Sequence, residues 1–443
     1  MKICVIGTGY VGLVTGACFA DRGHEVTCVD YDKGKVDAIS QGKPPIHEVG
    51  LEDLLRKNVG VRLRATTDLA AAMRPAEVVF VCVGTPFRDG AIDLAQIKAS
   101  AEQIGAILRD SSDYKLITMK STVIPGTTDG IFRQTIEVAS GKKAGVDFGL
   151  AMNPEFLTEG TAVEDFRHPD RLVLGGIDNR SRETLERLYE SWPGVTRVPT
   201  NTTTAEMIKY ASNSVLATMI SFSNEIGRLC SAVGGVDVAD VMRGVHHAAY
   251  FTSRPAGGDK VVAPITSFLE AGCGFGGSCL PKDVSALVAQ GASKGVEMPL
   301  LRSVLDINKS QPDELMKIIR RQRPDLTGAK VALLGIAFKP DTDDMRESPA
   351  FPILKRLQAA GTSVAAYDPV ARPQDPALLS GARLAGSLEE AVRDADIVII
   401  VTRWAEFRQL PQVLKRLGRD PLVVDGRRML PRDAVPRYTG IGL

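Results

Sequence analysis

The chain has 443 residues, too long for one ordinary hydrophobic core, and at about 150 residues per domain it is expected to hold two or three domains. Its 54 basic and 53 acidic side chains nearly cancel, which leaves no electrostatic footprint for nucleic acid or an anionic membrane; an anionic ligand has to be held by a local site. No apolar run is long enough to span a bilayer and the opening MKICVIGTGYVG does not read as a secretory leader, so a cytoplasmic location is expected.

The N-terminal part alternates short apolar runs with helical patterns. KICVIG (2–7), EVTCVD (25–30), EVVFVCVG (77–84), KLITMK (115–120) and FGLAMN (148–153) read as strands, several apolar at nearly every position, as strands covered on both faces are. A doubly wound parallel sheet ending near Thr200 is the economical reading. From Asn201 apolar residues recur at helical spacing, and a long central helix with shorter ones is predicted to about Pro312. Strand rhythm returns at KVALLGIAF (330–338), SVAAYD (363–368), DIVIIVT (396–402) and LVVDG (422–426). The expected architecture is therefore α/β: two Rossmann-like doubly wound domains, 1–200 and 313–443, joined by a long central helix and a helical middle domain, 201–312. The two α/β halves are not obvious sequence repeats.

The first strand runs into Gly7-Thr8-Gly9-Tyr10-Val11-Gly12 and then a helix. Gly7 suits a tight turn, Gly9 lets backbone approach a pyrophosphate, and Gly12 lets helix and sheet pack closely, while the helix N-terminus offers amides to phosphate. The second strand ends in Asp30, placed to accept from a ribose 2′-hydroxyl; its charge repels a 2′-phosphate and no Arg follows, so NAD⁺ is expected over NADP⁺. Gly84 and Thr85, and Thr122 in Lys120-Ser121-Thr122, close later strands at the same sheet edge, suited to the nicotinamide half.

Of the seven cysteines, Cys4, Cys18, Cys28 and Cys82 lie in apolar patterns and are expected to be buried. Cys279 differs. It sits in Gly274-Phe275-Gly276-Gly277-Ser278-Cys279-Leu280-Pro281-Lys282-Asp283, and Pro281 suits the first turn of a helix, which puts the cysteine at that helix's N-terminus. The helix dipole and the Lys282 charge there favour a thiolate.

GFGGSCLPKD resembles the active-site signature of the UDP-glucose/GDP-mannose dehydrogenase family. Further blocks extend the resemblance over nearly the whole chain: Asn153-Pro154-Glu155-Phe156-Leu157-Thr158-Glu159-Gly160, then Pro169-Asp170-Arg171; Glu206-Met207-Ile208-Lys209-Tyr210 through Asn213; and Ala337-Phe338-Lys339-Pro340-Asp341-Thr342-Asp343-Asp344 through Arg346-Glu347-Ser348-Pro349. The resemblance implies an enzyme that makes two successive two-electron oxidations of a nucleotide sugar with two NAD⁺. Cys279 is then the nucleophile that captures the C6 aldehyde as a thiohemiacetal and later a thioester. It also implies that Lys209 and Asn213, four apart on the central helix, stabilise oxyanions, and that Asp283 orients a water or Lys209. Glu155 and Glu159 divide acid–base work and substrate holding in an order left open, and Thr122 orients water or the nicotinamide side. Lys35, Glu159 and Arg346 join the cofactor contacts; Phe156, Leu157, Phe268, Leu269, Gly276, Phe338 and Lys339 join the substrate contacts, Lys339 at the diphosphate. Glu206 and Glu225 read as solvated helix carboxylates.

One segment departs from the family pattern. The Asp-x-Arg-Ile-Gly run usual before Phe-Leu in UDP-glucose members is missing ahead of Phe268-Leu269; Ala263 stands at the arginine, with Arg254 or Lys260 as replacements for its charge. UDP-glucose is the default substrate, with dTDP-glucose and GDP-mannose as alternatives. A dehydrogenase that stops at the aldehyde and a sugar-nucleotide-binding redox sensor are the competing readings. His246-His247 lacks the further ligands a metal needs, and no metal is expected. A homodimer through the central helices is the expected partner state.

Overall fold

The computed structural model describes residues 1–443 apart from Ala256, Gln374 and Ser380. The chain divides into two compact units, Met1–Ser212 and Asn213–Leu443.

The first unit is built on eight strands: β1 (Lys2–Ile6), β2 (Glu25–Val29), β3 (Leu63–Thr66), β4 (Val78–Val81), β5 (Leu116–Met119), β6 (Gly149–Met152), β7 (Arg171–Gly176) and β8 (Thr196–Thr200). Their order is β8-β7-β6-β5-β4-β1-β2-β3, parallel throughout except where β6 meets β7 through Ala151–Gly176 and Met152–Gly175. Every residue of β4, β5 and β6 is buried, which is why their sequence is apolar without alternation. The two-residue period survives in where the side chains go: Ile3, Val5, Val78 and Phe80 enter the core on one face, and Cys4, Ile6, Val79 and Val81 the core on the other. Helix α1 (Tyr10–Asp21) covers the first face with Leu13, Val14, Ala17 and Cys18. Strand order reverses between β1 and β4, and the crevice beyond their carboxyl ends is where a doubly wound sheet takes its ligand.

Helix α2 (Thr202–Val233) is the long helix foreseen. The first compact unit takes in the start of this helix, as far as Ser212. The reason is packing: Ala205 belongs to a sheet core of the first unit and Ile208 packs against it. In the second unit come helices Val238–His246, α3 (Leu280–Ser293) and Pro299–Gln322. The last runs straight through Pro312, expected as its end; Pro312 is buried in the helix interior.

A six-stranded, all-parallel sheet follows: β9 (Lys330–Leu334), β10 (Ser363–Tyr367), β11 (Arg383–Leu384), β12 (Ile397–Ile400), β13 (Leu422–Asp425) and β14 (Tyr438–Gly440), ordered β11-β10-β9-β12-β13-β14. Its switch point, between β9 and β12, repeats that of the first sheet, and the likeness extends to single residues. Gly7 and Gly335 both hold φ +94° after the first strand. Asp30 and Asp368, each just after the second strand, accept backbone N–H groups from the loop after the first, at Thr8 (2.8 Å) and at Ile336 and Ala337 (2.9 and 3.0 Å). The repeat is legible in backbone and hydrogen bonds while the sequences around it have diverged.

Candidate functional site

In the first unit the three glycines of the loop have three different reasons. A Cβ on Gly7 would stand 2.7 Å from the Cys82 carbonyl oxygen, and one on Gly12 only 1.9 Å from that of Gly7. A Cβ on Gly9 would meet nothing within 4 Å, and its φ of −69° suits any residue. Neither packing nor conformation asks for glycine at position 9; close approach of a ligand does, at the bare N-terminus of α1, where no side chain caps the amides. Asp30 is 6% exposed. Burial works to raise its carboxyl, but hydrogen bonds from the Thr8 hydroxyl (2.6 Å) and the backbone N–H groups of Asp32 and Thr8 win and hold it below the ordinary carboxylate value; Lys35 stands 4.0 Å away. The latch from Asp30 to Thr8 is an additional role the sequence reading lacked.

Tyr10 turns to Glu48, a buried carboxylate that no motif marked. The Gly160 N–H donates to the Tyr10 hydroxyl (2.6 Å) and to Glu48 (2.7 Å), so the start of α1 is tied to the loop that carries half-buried Glu159. Val11 opens the same helix, partly buried. At the ends of β4 and β5, the Gly84 N–H donates to Gln96 (3.0 Å), and the Thr85 hydroxyl donates to the Thr122 carbonyl (2.8 Å). Gly84, Thr85 and Thr122 are thus brought to one sheet edge.

Lys209 and Glu155 form a buried ion pair at 2.8 Å, the side chains 4% and 6% exposed. Burial works to raise the Glu155 carboxyl, but the Lys209 ammonium and the Leu157 N–H (2.6 Å) hold it below its ordinary value. Phe156 lies beneath the Arg171 guanidinium, 3.9 Å from the ring centre, with Lys209 at 5.5 Å; Leu157 is half-buried beside it. Lys120, quoted only as a neighbour of Thr122, proves to be a buried cation. It donates to the carbonyl and side-chain oxygens of Asn153 (3.3 and 2.9 Å), and burial pushes its ammonium down to about 8. Glu206 corrects the expectation of a solvated carboxylate: it is 0% exposed and binds backbone N–H groups of Gly126 and Thr128. Periodicity alone cannot distinguish a helix carboxylate facing water from one facing a loop.

In the second unit Cys279 caps α3, with Pro281 in the first turn as expected. Among the described residues no cysteine forms a disulfide; six of the seven are buried and Cys279 is exposed. Burial pushes the Cys4, Cys18 and Cys82 thiols up to about 12, which leaves them inert small hydrophobes. The Lys282 ammonium, expected to serve the thiol, pairs with Asp283. Asp283 is 1% exposed and also accepts from the Asn213 amide at 2.6 Å, so three of the expected residues form one polar cluster.

The glycines before Cys279 are demanded by packing. A Cβ on Gly276 would stand 2.2 Å from the Glu347 carbonyl oxygen, and one on Gly277, at φ +81°, 2.7 Å from the Phe338 ring. The Gly277 N–H donates to the Arg346 carbonyl at 2.9 Å. The structure thereby joins the cysteine loop to the Phe338–Arg346 segment. The Arg346 guanidinium lies against Asp344, at 2.7 Å, and Lys339 is half-buried in the loop after β9. Phe268 is half-buried and Leu269 buried; His246 donates from Nε2 to the Leu269 carbonyl (2.9 Å), a structural bond and not a solvated ring. The Lys260 ammonium donates to the His247 carbonyl (2.6 Å) and Arg254 is exposed. Among the described residues no group of His, Cys, Asp or Glu is arranged to hold a metal ion, and no helix is long and apolar enough to cross a membrane.

Residues 1–193, 203–310 and 332–432 match in turn the NAD binding domain, the central domain and the UDP binding domain of the UDP-glucose/GDP-mannose dehydrogenase family. The chain belongs to this family. A UDP-glucose 6-dehydrogenase of Pseudomonas aeruginosa is 42% identical over 100% of this chain and 97% of its own length. A GDP-mannose 6-dehydrogenase of Pseudomonas putida is 40% identical over the full length of both. The solved UDP-glucose dehydrogenase of Pyrobaculum islandicum aligns over 99% of this chain and 97% of that one, with a TM-score of 0.88 at 34% identity. The family makes the chain an NAD-dependent oxidoreductase of the nucleotide-sugar 6-dehydrogenase type, acting on a CH–OH group. The open space at Gly9 and the carboxylate of Asp30 fit that cofactor.

Proposed function

We propose that the chain oxidises the 6-hydroxymethyl of an NDP-glucose, UDP-glucose by default, to the NDP-glucuronate in two successive two-electron steps. The carrying observation is Cys279, the exposed thiol among seven, at the N-terminus of α3. NAD⁺, when bound, supplies the hydride acceptor for both oxidations. C6 first loses a hydride and its hydroxyl a proton, giving an aldehyde. The Cys279 thiolate then bonds to that carbon, and the carbonyl oxygen takes a proton to complete a thiohemiacetal. Loss of a second hydride and of that proton leaves a thioester. Water adds to it, the C–S bond breaks, the thiolate departs, and the carboxylate keeps the water's oxygen. Lys209 and Asn213 stabilise the oxyanions, Asp283 positions Asn213, and Glu155 and Glu159 share acid–base work and substrate holding. Thr122 serves the nicotinamide side, Arg346 the cofactor and Lys339 the diphosphate.

Release of two NADH per sugar supports this route, and one NADH decides for an enzyme that stops at the aldehyde. Retained turnover in Cys279→Ala removes the covalent step. The base is read from a panel of UDP-, dTDP-, GDP- and ADP-sugars. Relatives named for UDP-glucose and for GDP-mannose stand at nearly equal identity, so GDP-mannose is the second reading.

The assignment of 1–200 to the cofactor, 201–312 to a helical middle domain and 313–443 to the nucleotide sugar belongs to the same proposal. So does a homodimer through the central helices. Val215, Phe222 and Leu229, seven apart on α2, are 51%, 47% and 59% exposed, an apolar stripe suited to a second copy. Phe222→Asp is expected to shift the mass in light scattering from dimer to monomer.

A further inference from the structure

Helix α2 begins by gripping two strand-end loops. Lys209 holds Glu155 in the loop after β6. One turn earlier Glu206 faces the loop after β5: its Oε2 accepts from the Gly126 N–H at 2.6 Å and its Oε1 from the Thr128 N–H at 2.8 Å. Between these contacts Gly126 sits at φ +95°, and the Thr127 hydroxyl closes back on the Ile124 carbonyl at 2.6 Å. At its other end the same loop is fastened to the end of β4, the Ser121 hydroxyl donating to the Val83 carbonyl (2.7 Å) and the Thr85 hydroxyl to that of Thr122 (2.8 Å).

Two N–H groups aimed at one side chain call for two acceptors. A carboxylate supplies both, whereas an amide supplies one and turns its own NH₂ against the second N–H. That requirement explains a wholly buried Glu in a place where burial works against its charge. The charged neighbour on the facing segment is Asp129, itself paired with Arg133 at 3.1 Å, and it disfavours the anion further.

We propose that Glu206 is a positioning residue for the dinucleotide: as the anion it fixes the 121–128 loop, and through it Thr122 and Thr85, at the nicotinamide end of the crevice. The proposal rests on the reading of that sheet edge as the cofactor site. Protonation turns one acceptor into a donor facing an N–H, so the loop is held above neutrality and loosened below it. Burial, with Asp129, places the change at about pH 7.

The test is NADH binding to the full-length protein, followed by nicotinamide fluorescence, for wild type, Glu206→Gln and Asp30→Ala. Glu206→Gln at pH 8 is expected to weaken NADH at least about tenfold, the loss of one hydrogen bond to a buried charge, while KM for the nucleotide sugar moves less than about twofold. Wild-type affinity is expected to weaken as pH falls from 8 to 6, and that of Glu206→Gln to stay flat. A flat wild-type profile overturns the proposal, a result that needs no variant to fold. Unchanged NADH affinity in Glu206→Gln overturns it while Asp30→Ala still weakens binding; if neither variant weakens binding, the cofactor reading falls with it. Glu206→Asp, which keeps two acceptors on a shorter stem, is expected to recover part of the pH dependence.

Discussion

In the proposed function the Lys209–Glu155 ion pair serves both chemistry and stability. Removing one partner of a buried ion pair strands the other charge in apolar surroundings and costs about 3–5 kcal/mol, whereas removing both costs far less. Lys209→Met and Glu155→Gln are each expected to lower stability by about 3 kcal/mol in urea unfolding, and the double variant to lose much less than their sum. A double variant as unstable as the sum would mean that the two act independently. Activity follows a different rule: on the proposed assignment Lys209→Met and the double variant lack the ammonium at the oxyanion and Glu155→Gln lacks the carboxylate for acid–base work, so all three are expected to be slow. At Cys279 the expected contrast is between Ala, with no covalent route, and Ser, a poor nucleophile there, which stalls at the aldehyde or a slow ester. Rapid-quench analysis of the bound sugar distinguishes them.

Among elements, the glycine loop and α1 separate ligand demand from packing demand. Gly9→Ala adds a methyl into space that the protein leaves open, and is expected to keep stability within about 1 kcal/mol while raising KM for NAD⁺ at least tenfold. Gly12→Ala pushes a methyl into the Gly7 carbonyl at 1.9 Å and is expected to lower the melting temperature whether or not cofactor is present. Thermal unfolding with and without NAD⁺ reads both. The same distinction marks what the sequence made legible. Strands covered on both faces announce themselves as apolar runs, and β1, β2, β4, β5 and β6 were readable. The outer strands were not: β3 is LRAT, and β8 is TRVPT with a proline that only an edge tolerates. The place of Cys279 at a helix start was legible because the signals for a helix start are local. Glu48, Lys120 and Glu206 were not, because each takes its role from a loop far away in sequence, and side-chain type alone does not tell a buried partner from a solvated charge.

At the scale of the molecule, Glu206 and Lys120 are among the buried charges of the first unit that burial disfavours, and that cost to stability has a signature in pH. Burial raises Glu206 from 4.5 to about 7, so between those values the folded chain holds a proton the unfolded chain has released, and stability falls as pH rises through the window. Burial lowers Lys120 from 10.5 to about 8, so between 8 and 10.5 the unfolded chain holds a proton the folded chain has released, and stability rises with pH there. Each contribution amounts to about 3 kcal/mol at full extent. The two together put a minimum between pH 7 and 8, where both groups weigh most on the fold. Amide exchange of β4, β5 and β6, corrected for its intrinsic pH dependence, gives the stability of this unit. Glu206→Gln is expected to flatten its acidic limb alone and Lys120→Met its alkaline limb alone. If Glu206→Gln leaves the slope between pH 5 and 7 as steep as in wild type, that carboxylate titrates outside this window and the loop it holds has no pH-sensitive anchor.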